Sequence, residues 1–317
     1  MQVIYGKGSE RITLTPNVLE VSWSSSRGQI AQVCDITILN SPPLASAGFL
    51  MLFEGSFNST DQIFHGPIVR FQRDDHSKDL SATAYEISWY LTKNDVTRLK
   101  LSGDPGNQLN QIISAAGGGI KFSCPALGFS MKERTSAQSY AALYSMIMDK
   151  AYEKTGIRYY LHHRRDQLFV TPEGKNPLVP IFQAVSLDSS ATGESIEEVY
   201  NIVKVEKYKN DKLVSSVTKQ DTASMNKIGY MQKIIDAGEE KDLASLAGRE
   251  LKRLAKIPVT RSITVRHNDP TAAKIRAGWR IDIIESDGKT TTSWIVTSCK
   301  ASWRISEYTM QLELERR

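Results

Sequence analysis

Cysteine is scarce in this sequence, which has only Cys34, Cys124 and Cys299 among its 317 residues. The three lie far apart and form no Cys-x-x-Cys pair, so their spacing indicates neither a zinc site nor a disulfide framework. An odd, scattered set favours buried free thiols in a protein that is made in a reducing compartment. We therefore expect synthesis and folding in the cytoplasm.

Long apolar runs are absent as well. No stretch reaches the roughly 18 consecutive apolar residues that a membrane-spanning helix needs. The first residues, MQVIYGKGSERITLTP, do not place a positively charged stretch before an apolar core. The sequence thus predicts neither a signal peptide nor membrane insertion.

Positive charge is neither strong nor concentrated. The 40 basic and 35 acidic residues leave a formal net charge of +5, and the densest basic runs, Arg164-Arg165 and Lys252-Arg253, are short. Proteins that read a nucleic-acid sequence usually gather basic residues on one face. Sequence-specific nucleic-acid binding is therefore not expected, although this composition is compatible with the passage of nucleic acid past the protein.

Short catalytic and cofactor-binding signatures are missing, such as a Gly-x-Ser-x-Gly elbow or a His-Glu-x-x-His helix. His162 and His163 are neighbours on a predicted strand, so their side chains leave opposite faces and cannot readily share a metal. The run Asp74-Asp75-His76 is typical of a solvated hairpin tip. Gly117-Gly118-Gly119 follows a predicted helix, whereas a phosphate-binding glycine loop precedes one. We expect no enzyme activity, no cofactor and no bound metal.

The strongest positive signal is alternation of apolar and polar residues in the stretch 278–315. A period of two indicates strands with one buried face, and the turn Ser286-Asp287-Gly288 separates the first strand from the second. This stretch therefore predicts an antiparallel meander. The residues predicted on its buried face are Trp279, Ile281, Ile283, Trp294, Val296, Tyr308, Met310, Leu312 and Leu314.

A similar outline lies near the N-terminus. Gly48 and Phe64 have the same separation as Gly278 and Trp294, and Met51 corresponds to Ile281 at that offset. Two copies of one β unit are one interpretation. The other interpretation is that the similarity arises by chance, because every half-buried hairpin needs a glycine, alternating apolar residues and a turn.

Three segments follow from the patterns along the chain. Residues 1–91 predict five or six short strands, which is typical of a small β-barrel or sandwich. Residues 92–185 predict a small α/β insert and a linker, and residues 186–317 predict a second β domain with a helix over 239–256. The predicted fold class is α+β, with two antiparallel β-barrel domains and an intervening small α/β domain.

The helices of the insert have clear signals. Asp104 and Pro105 predict a helix start, followed by an apolar stripe that Gly117-Gly118-Gly119 ends. A second helix is predicted from Ser136 to Gly156, before a hairpin and a loose segment over 172–193.

Residues 221–236 show no sustained period although they are rich in apolar side chains. An irregular, apolar stretch is either covered by the core or docked on another molecule. Under the second interpretation, the candidate partner-interface residues are Ile228, Tyr230, Met231 and Ile234.

The order of these features resembles a known family. Trp89-Tyr90-Leu91-Thr92-Lys93-Asn94 follows the first β segment, and an Asn201-Ile-Val-Lys-Val strand and a Ser224-Met-Asn-Lys-Ile-Gly-Tyr230 loop precede the third helix. The chain resembles the phage tail hub proteins, in particular the XkdQ/YqbQ group of PBSX-type prophages. It is distantly similar to the baseplate hub proteins of phages T4 and Mu. The resemblance covers nearly the whole chain and rests on element order and short patterns.

This resemblance implies a structural role in a contractile phage or phage-like tail. Such hubs are trimeric rings with two tube-like β-barrel domains per chain, which adapt a six-fold tail tube to a three-fold spike around a central channel. A repeated β unit would supply the equivalent surfaces that such a ring needs. The implied partners are further copies of the chain, the tail tube protein, the spike protein, the tape-measure protein and other baseplate proteins. Synthesis in the bacterial cytoplasm and assembly into the baseplate are implied in the same way.

Two interpretations from other classes stay open. One is a tail-associated cell-wall hydrolase with catalytic carboxylates in the insert. The other is a β-barrel carbohydrate-binding module that uses Trp279, Trp294 and Trp303. The second interpretation fails if Trp279 and Trp294 belong to the hydrophobic core.

Overall fold

A computed structural model describes residues 1–40, 44, 48–54, 62–115, 120–164, 166–238, 240–267, 270–304 and 307–316. In these residues the chain is mainly β-strand and has five α-helices. This agrees with the α+β class expected from the sequence. The helices are α1 Tyr90–Lys93, α2 Pro105–Ala115, α3 Tyr140–Thr155, α4 Thr222–Ile228 and α5 Leu243–Leu254. The strands are β1 Gln2–Lys7, β2 Glu10–Thr13, β3 Val18–Ser26, β4 Val33–Ile38, β5 Phe49–Phe53, β6 Gln62–Arg73, β7 Leu80–Tyr85, β8 Asp95–Val96, β9 Lys100–Gly103, β10 Lys121–Ser123, β11 Met131–Arg134, β12 Gln138–Ser139, β13 Tyr159–Arg164, β14 Gln167–Pro172, β15 Ile181–Gln183, β16 Ser189–Glu194, β17 Ile202–Lys209, β18 Lys212–Gln220, β19 Gln232–Asp236, β20 Val259–His267, β21 Arg280–Ile284, β22 Thr291–Arg304 and β23 Glu307–Arg316.

The chain divides into two compact units. One contains residues 1–190 and 262–315, and the other contains residues 191–261 together with Arg316. The chain leaves the first unit and returns to it, so the first unit is discontinuous in sequence. The three-domain division at residues 91 and 185 stays a prediction.

Alternating burial along the strands builds the large sheet of the first unit. The strand order is β16-β20-β23-β22-β3-β4-β7-β6-β5-β1-β2, with β21 beside β22 and β15 beside β21. In β4, Cys34, Ile36 and Ile38 are all buried and lie on one face of the strand. In β23, Tyr308, Met310, Leu312 and Leu314 are buried, as the alternation predicted.

The two stretches with a similar outline both form meanders, β5-β6-β7 and β21-β22-β23. Their registers differ by one residue. Trp294 lies opposite Ile281, whereas Phe64 lies opposite Leu52 rather than Met51, next to a register shift at which β6 has one extra residue, Ile63. A shift of one residue moves side chains to the other face of a strand. The alignment by sequence offset therefore places strands correctly but not their faces.

The insert has its own apolar core, in which Leu109 and Ile113 of α2 pack with α3. The predicted helix start at Asp104 is confirmed because its Oδ1 accepts hydrogen bonds from the backbone N–H groups of Gly106 and Asn107. The predicted start of the second helix at Ser136 is wrong. Ser139 caps α3, since its hydroxyl accepts a hydrogen bond from the Ala142 N–H, and residues 138–139 pair with β8 instead. Ala116 and Gly117-Gly118-Gly119 lie outside the described residues.

The second unit is a sheet of order β18-β17-β19 against which α5 packs. Residues 221–236, predicted to be irregular, contain α4 and β19 instead, because Asp221 caps α4 and β19 pairs with β17. The helix predicted over 239–256 is α5 and begins at Leu243. Asp242 caps it by accepting the Ser245 N–H, so Glu240 precedes the helix; Glu239 lies outside the described residues.

The segment over 172–193, predicted to be loose, contributes a strand to the first unit. β15 pairs in parallel with β21, so that Phe182, which is buried, lies opposite Ile283. Among the described strands, the sheets stay open and have terminal strands.

Candidate functional site

The candidate partner-interface residues lie together at one edge of the second unit. Ile228 ends α4, Tyr230 and Met231 form the connection that follows, and Ile234 lies on β19. Tyr230 is 68% exposed and Ile234 is 53% exposed, whereas Ile228 and Met231 are half-buried. Large exposed apolar side chains that lie close together are typical of interaction surfaces.

Asn201 fixes the connection that carries Tyr230. Its side chain is fully buried, donates from Nδ2 to the Gly229 carbonyl at 2.7 Å, and accepts from the Met231 N–H at 3.0 Å. Both bonds tie the backbone of this connection to a buried side chain. The Tyr230 hydroxyl donates to Gln232 Oε1 at 2.6 Å. The exposed side chain is therefore presented by a fixed backbone, which lowers the entropic cost of binding a partner.

A buried charged cluster in the first unit was not predicted from the sequence. Glu86 Oε1 accepts from Arg276 Nη1 at 2.9 Å and is also in contact with His163 Nδ1. The Ser88 hydroxyl donates to Glu86 Oε2 at 3.2 Å, and Arg276 Nη2 lies 3.5 Å from Gln32 Oε1. The Glu86 and His163 side chains are each 2% exposed.

The positive groups in this cluster keep Glu86 ionised. Burial by itself would raise the pKa of Glu86, but the charges of His163 and Arg276 outweigh burial and hold that pKa well below its ordinary value. A buried ion pair of this kind is costly to break, because the remaining charge has no partner. The cluster connects the end of β7, the β13 strand of the insert and the segment before β21.

A small cavity lies beside this cluster, between the β3–β4 connection, α3 and β13. Its volume is about 110 Å³, below the roughly 300–1,000 Å³ that is typical of small-molecule sites. At its edge, the Arg27 guanidinium donates to both carboxylate oxygens of Glu173. A polar space of this size suits a few water molecules better than an organic ligand.

The histidine pair divides between two environments, as strand geometry predicted. His163 enters the charged cluster, whereas His162 Nε2 lies 3.0 Å from Thr171 Oγ1 and its ring stacks between Tyr160 and Phe169. Burial and the nearby Arg276 charge lower the pKa of His162 to about 4. His162 is therefore neutral near pH 7.

The other polar and aromatic candidates have structural roles. Asp74 lies at the connection between β6 and β7, where its carboxylate accepts the His76 and Ser77 N–H groups. Trp294 and Trp303 are buried, and Trp279 is half-buried. Core tryptophans cannot stack on a sugar, so the carbohydrate-binding interpretation loses its main support.

Neither a metal centre nor a membrane span is found in the part of the chain that the structure describes. No group of three or more His, Cys, Asp or Glu side chains is placed to hold a metal ion. None of the described helices is both long and apolar enough to cross a bilayer.

The fold is similar to those of several solved tail proteins. It is similar to a tail protein from Neisseria meningitidis MC58, with a TM-score of 0.72 and 14% identity over 99% of this chain and 96% of that one. It is also similar to a 43 kDa tail protein of prophage MuSo2 from Shewanella oneidensis, with a TM-score of 0.69 and 10% identity over 100% of this chain and 98% of that one. The similarity to the E. coli c3393 protein has a TM-score of 0.54 and 10% identity over 95% of this chain and 74% of that one. The c3393 protein is a component of the type VI secretion system and has structural similarity to the T4 bacteriophage tail proteins gp27 and gp5.

The sequence belongs to the YQBQ-like family, whose model matches residues 21–315. This confirms the resemblance to the XkdQ/YqbQ group that the order of elements indicated. A search of curated proteins returned no match.

Proposed function

We propose that this chain is a structural, non-enzymatic component of a phage or phage-like tail, made in the bacterial cytoplasm and assembled into the baseplate. The observation that carries the proposal is the fold, which matches two tail proteins over at least 99% of this chain. Membership of the YQBQ-like family points in the same direction.

Within the tail, we assign the chain to the hub, as a trimeric ring between a six-fold tube and a three-fold spike. The likeness to a protein that itself resembles T4 gp27 and gp5 supports this position. Two meanders per chain, β5-β6-β7 and β21-β22-β23, would give three subunits six related β units. The β-barrels expected of the family would then be completed by strands of neighbouring subunits, around a channel for the tape-measure protein and DNA.

The surface formed by Ile228, Tyr230, Met231 and Ile234 is proposed to contact another tail protein of the baseplate. Its apolar side chains are presented by a backbone that Asn201 holds in place. Preorganised, exposed aromatic and aliphatic side chains are the usual anchors of protein–protein interfaces.

The test is the mass of the purified chain by light scattering, alone and with its spike protein, together with electron microscopy of the particles. Closed rings of three copies with a central opening support the hub. A monomer under both conditions, or a compact particle with no opening, contradicts it.

A pair of variants tests the proposed contact surface. Tyr230→Ala with Ile234→Ala should weaken co-purification with other baseplate proteins at least tenfold, because two anchors are removed. Val185→Ala is the matched control, since Val185 is 73% exposed and lies outside this surface. Equal co-purification of the two variants would remove the surface from the proposal.

A further inference from the structure

A polar concavity lies on the outer face of the large sheet of the first unit. It extends across four neighbouring strands, β3, β4, β7 and β6, and has a volume of about 430 Å³. That volume is within the roughly 300–1,000 Å³ that is typical of small-molecule sites. Its two apolar lining residues, Ile36 and Ala82, are buried, and strand alternation turns their side chains toward the core. The side chains that face the concavity are therefore polar.

Most of these polar side chains are available to a ligand. Pairing of the strands places Glu20 opposite Thr37 and Gln72 opposite Ser81. Within the described residues, five of the side chains that line the concavity have no hydrogen-bond partner in the chain: Glu20, Ser22, Thr37, Gln72 and Ser81. The smaller cavity beside Glu86 differs, because the charged groups of Glu86 and Arg276 that line it are already paired with each other.

The charges of the concavity select against an anionic ligand. A row of hydrogen bonds crosses three strands, since the Thr83 hydroxyl donates to Asp35 Oδ1 at 2.6 Å and Arg70 Nη2 donates to Thr83 Oγ1 at 3.5 Å. With Glu20, the lining includes two carboxylates and one guanidinium. Phosphate, sulfate and nucleic acid are therefore disfavoured. Hydroxyl groups suit this lining, because each one both donates and accepts a hydrogen bond.

An aromatic platform borders the same face of the sheet. Alternation along β7 places Tyr85 on the side of Ser81 and Thr83. The Tyr85 ring stacks on Trp89 with 6.2 Å between centroids and an angle of 21°, and Trp89 lies 5.4 Å from Tyr90. All three aromatic residues are half-buried. Because partly exposed rings are apolar, their place beside a polar concavity indicates a ligand that has both an apolar and a polar side.

We propose that the polar concavity and the aromatic platform bind an uncharged oligosaccharide. The C–H face of one sugar ring packs on Tyr85, and the hydroxyls of the following rings bond to Asp35, Gln72 and their neighbours. Four strands about 4.8 Å apart span roughly 14 Å, which is long enough for a short oligosaccharide. The site is separate from Trp279, Trp294 and Trp303, and the inference goes beyond the hub without depending on it.

Binding is tested on the full chain with three uncharged trisaccharides: maltotriose, cellotriose and tri-N-acetylchitotriose. Saturation-transfer NMR detects contact, and calorimetry gives the affinity. We expect at least one of them to bind with a Kd of about 1 mM or tighter. Dextran sulfate is the anionic probe in the same measurements. The inference is overturned if no trisaccharide binds at up to about 10 mM, or if dextran sulfate binds and the uncharged sugars do not.

Two matched pairs of variants locate the site. Gln72→Ala and Arg70→Ala should each weaken binding of the trisaccharide about fivefold, because each removes hydrogen bonds to the sugar. The controls are Gln220→Ala and Arg98→Ala, at exposed positions outside the concavity, and they should bind like the wild type. Equal affinities within each pair would exclude the concavity as the site.

Tyr85 is tested by two substitutions that both keep an apolar side chain. Tyr85→Leu removes the flat ring and should weaken binding roughly tenfold, whereas Tyr85→Phe keeps the ring and should retain the affinity. Circular dichroism verifies that both variants fold. Full affinity in Tyr85→Leu, or the same loss in both variants, contradicts stacking on this ring and overturns the inference.

The outcomes for the sugar site and for the hub are separate. Light scattering of the same samples reports the oligomeric state with and without the trisaccharide. A trimer that binds no sugar overturns this inference and leaves the hub standing. A monomer that binds the trisaccharide through Gln72 and Tyr85 supports the inference and contradicts the hub.

Discussion

Glu86 and Arg276 form a buried ion pair with 2.9 Å between Oε1 and Nη1, although 190 residues separate them in the sequence. The side chains are 2% and 11% exposed. His163 of the insert completes the cluster. One carboxylate therefore connects three distant parts of the first unit.

Arg276→Met should destabilise the protein by about 3–5 kcal/mol, because it leaves Glu86 ionised and buried with less compensation. The measurement is the free energy of unfolding in urea. Arg280→Met is the control; Arg280 pairs with Asp282 at 2.8 Å, but its side chain is 38% exposed, so solvent screens the pair and the loss should be much smaller than for Arg276→Met. Equal losses of unfolding free energy in the two variants would show that burial of the Glu86–Arg276 pair does not make it costlier to break than an exposed pair.

His162 should make stability depend on pH. The folded protein lowers the pKa of His162 to about 4 from a reference of 6.5, so the unfolded chain takes up the proton first as the pH falls. The contribution is complete above pH 6.5 and declines between pH 6.5 and about 4. In His162→Gln, the loss of unfolding free energy from pH 7 to 4.5 should be smaller than in the wild type by about 1–3 kcal/mol. Parallel pH profiles of the two proteins would refute this role.

Two glycines should respond oppositely to alanine. A Cβ at Gly66 would lie 1.7 Å from the Tyr85 carbonyl oxygen, so Gly66→Ala forces adjacent strands apart and should cost at least about 2 kcal/mol. Gly248 lies within α5 with nothing within 4 Å of the new atom. Gly248→Ala should stabilise the second unit by roughly 0.5–1 kcal/mol through helix propensity. Thermal unfolding measures both variants: the unfolding temperature should fall in Gly66→Ala and rise in Gly248→Ala. A shift in the same direction in both variants would be inconsistent with this packing.

Asn201→Ala should loosen the connection that carries Tyr230. It removes the side-chain partner of the Gly229 carbonyl and of the Met231 N–H, and the loss of the two hydrogen bonds should cost about 1–3 kcal/mol in total. Hydrogen exchange at the Met231 amide should become faster. Gln232→Ala is the control, because Gln232 is exposed and only accepts from the Tyr230 hydroxyl. Unchanged exchange in Asn201→Ala would mean that other contacts hold the connection.

Local signals in the sequence predicted local structure well. The alternation through Tyr308 and Leu314 gave the buried face of β23, and Asp104 and Gly156 marked the ends of helices, because capping and periodicity involve neighbours in the chain. The start of α3 was misplaced, since the pairing of Gln138 and Ser139 with β8 is a longer-range contact.

Sequence alone thus determined the elements with a clear period or cap, the family and the absence of short catalytic signatures, because these depend on residue types at fixed spacing. It missed α4, β15 and β19, which have no such local signal. The tertiary structure decided which strands are neighbours, as when β22 pairs with β3, and which charges meet, as with Glu86 and Arg276. It also decided which edges stay open. Such pairings join residues far apart in the chain, and no local pattern specifies the partner that a strand or a charge will find.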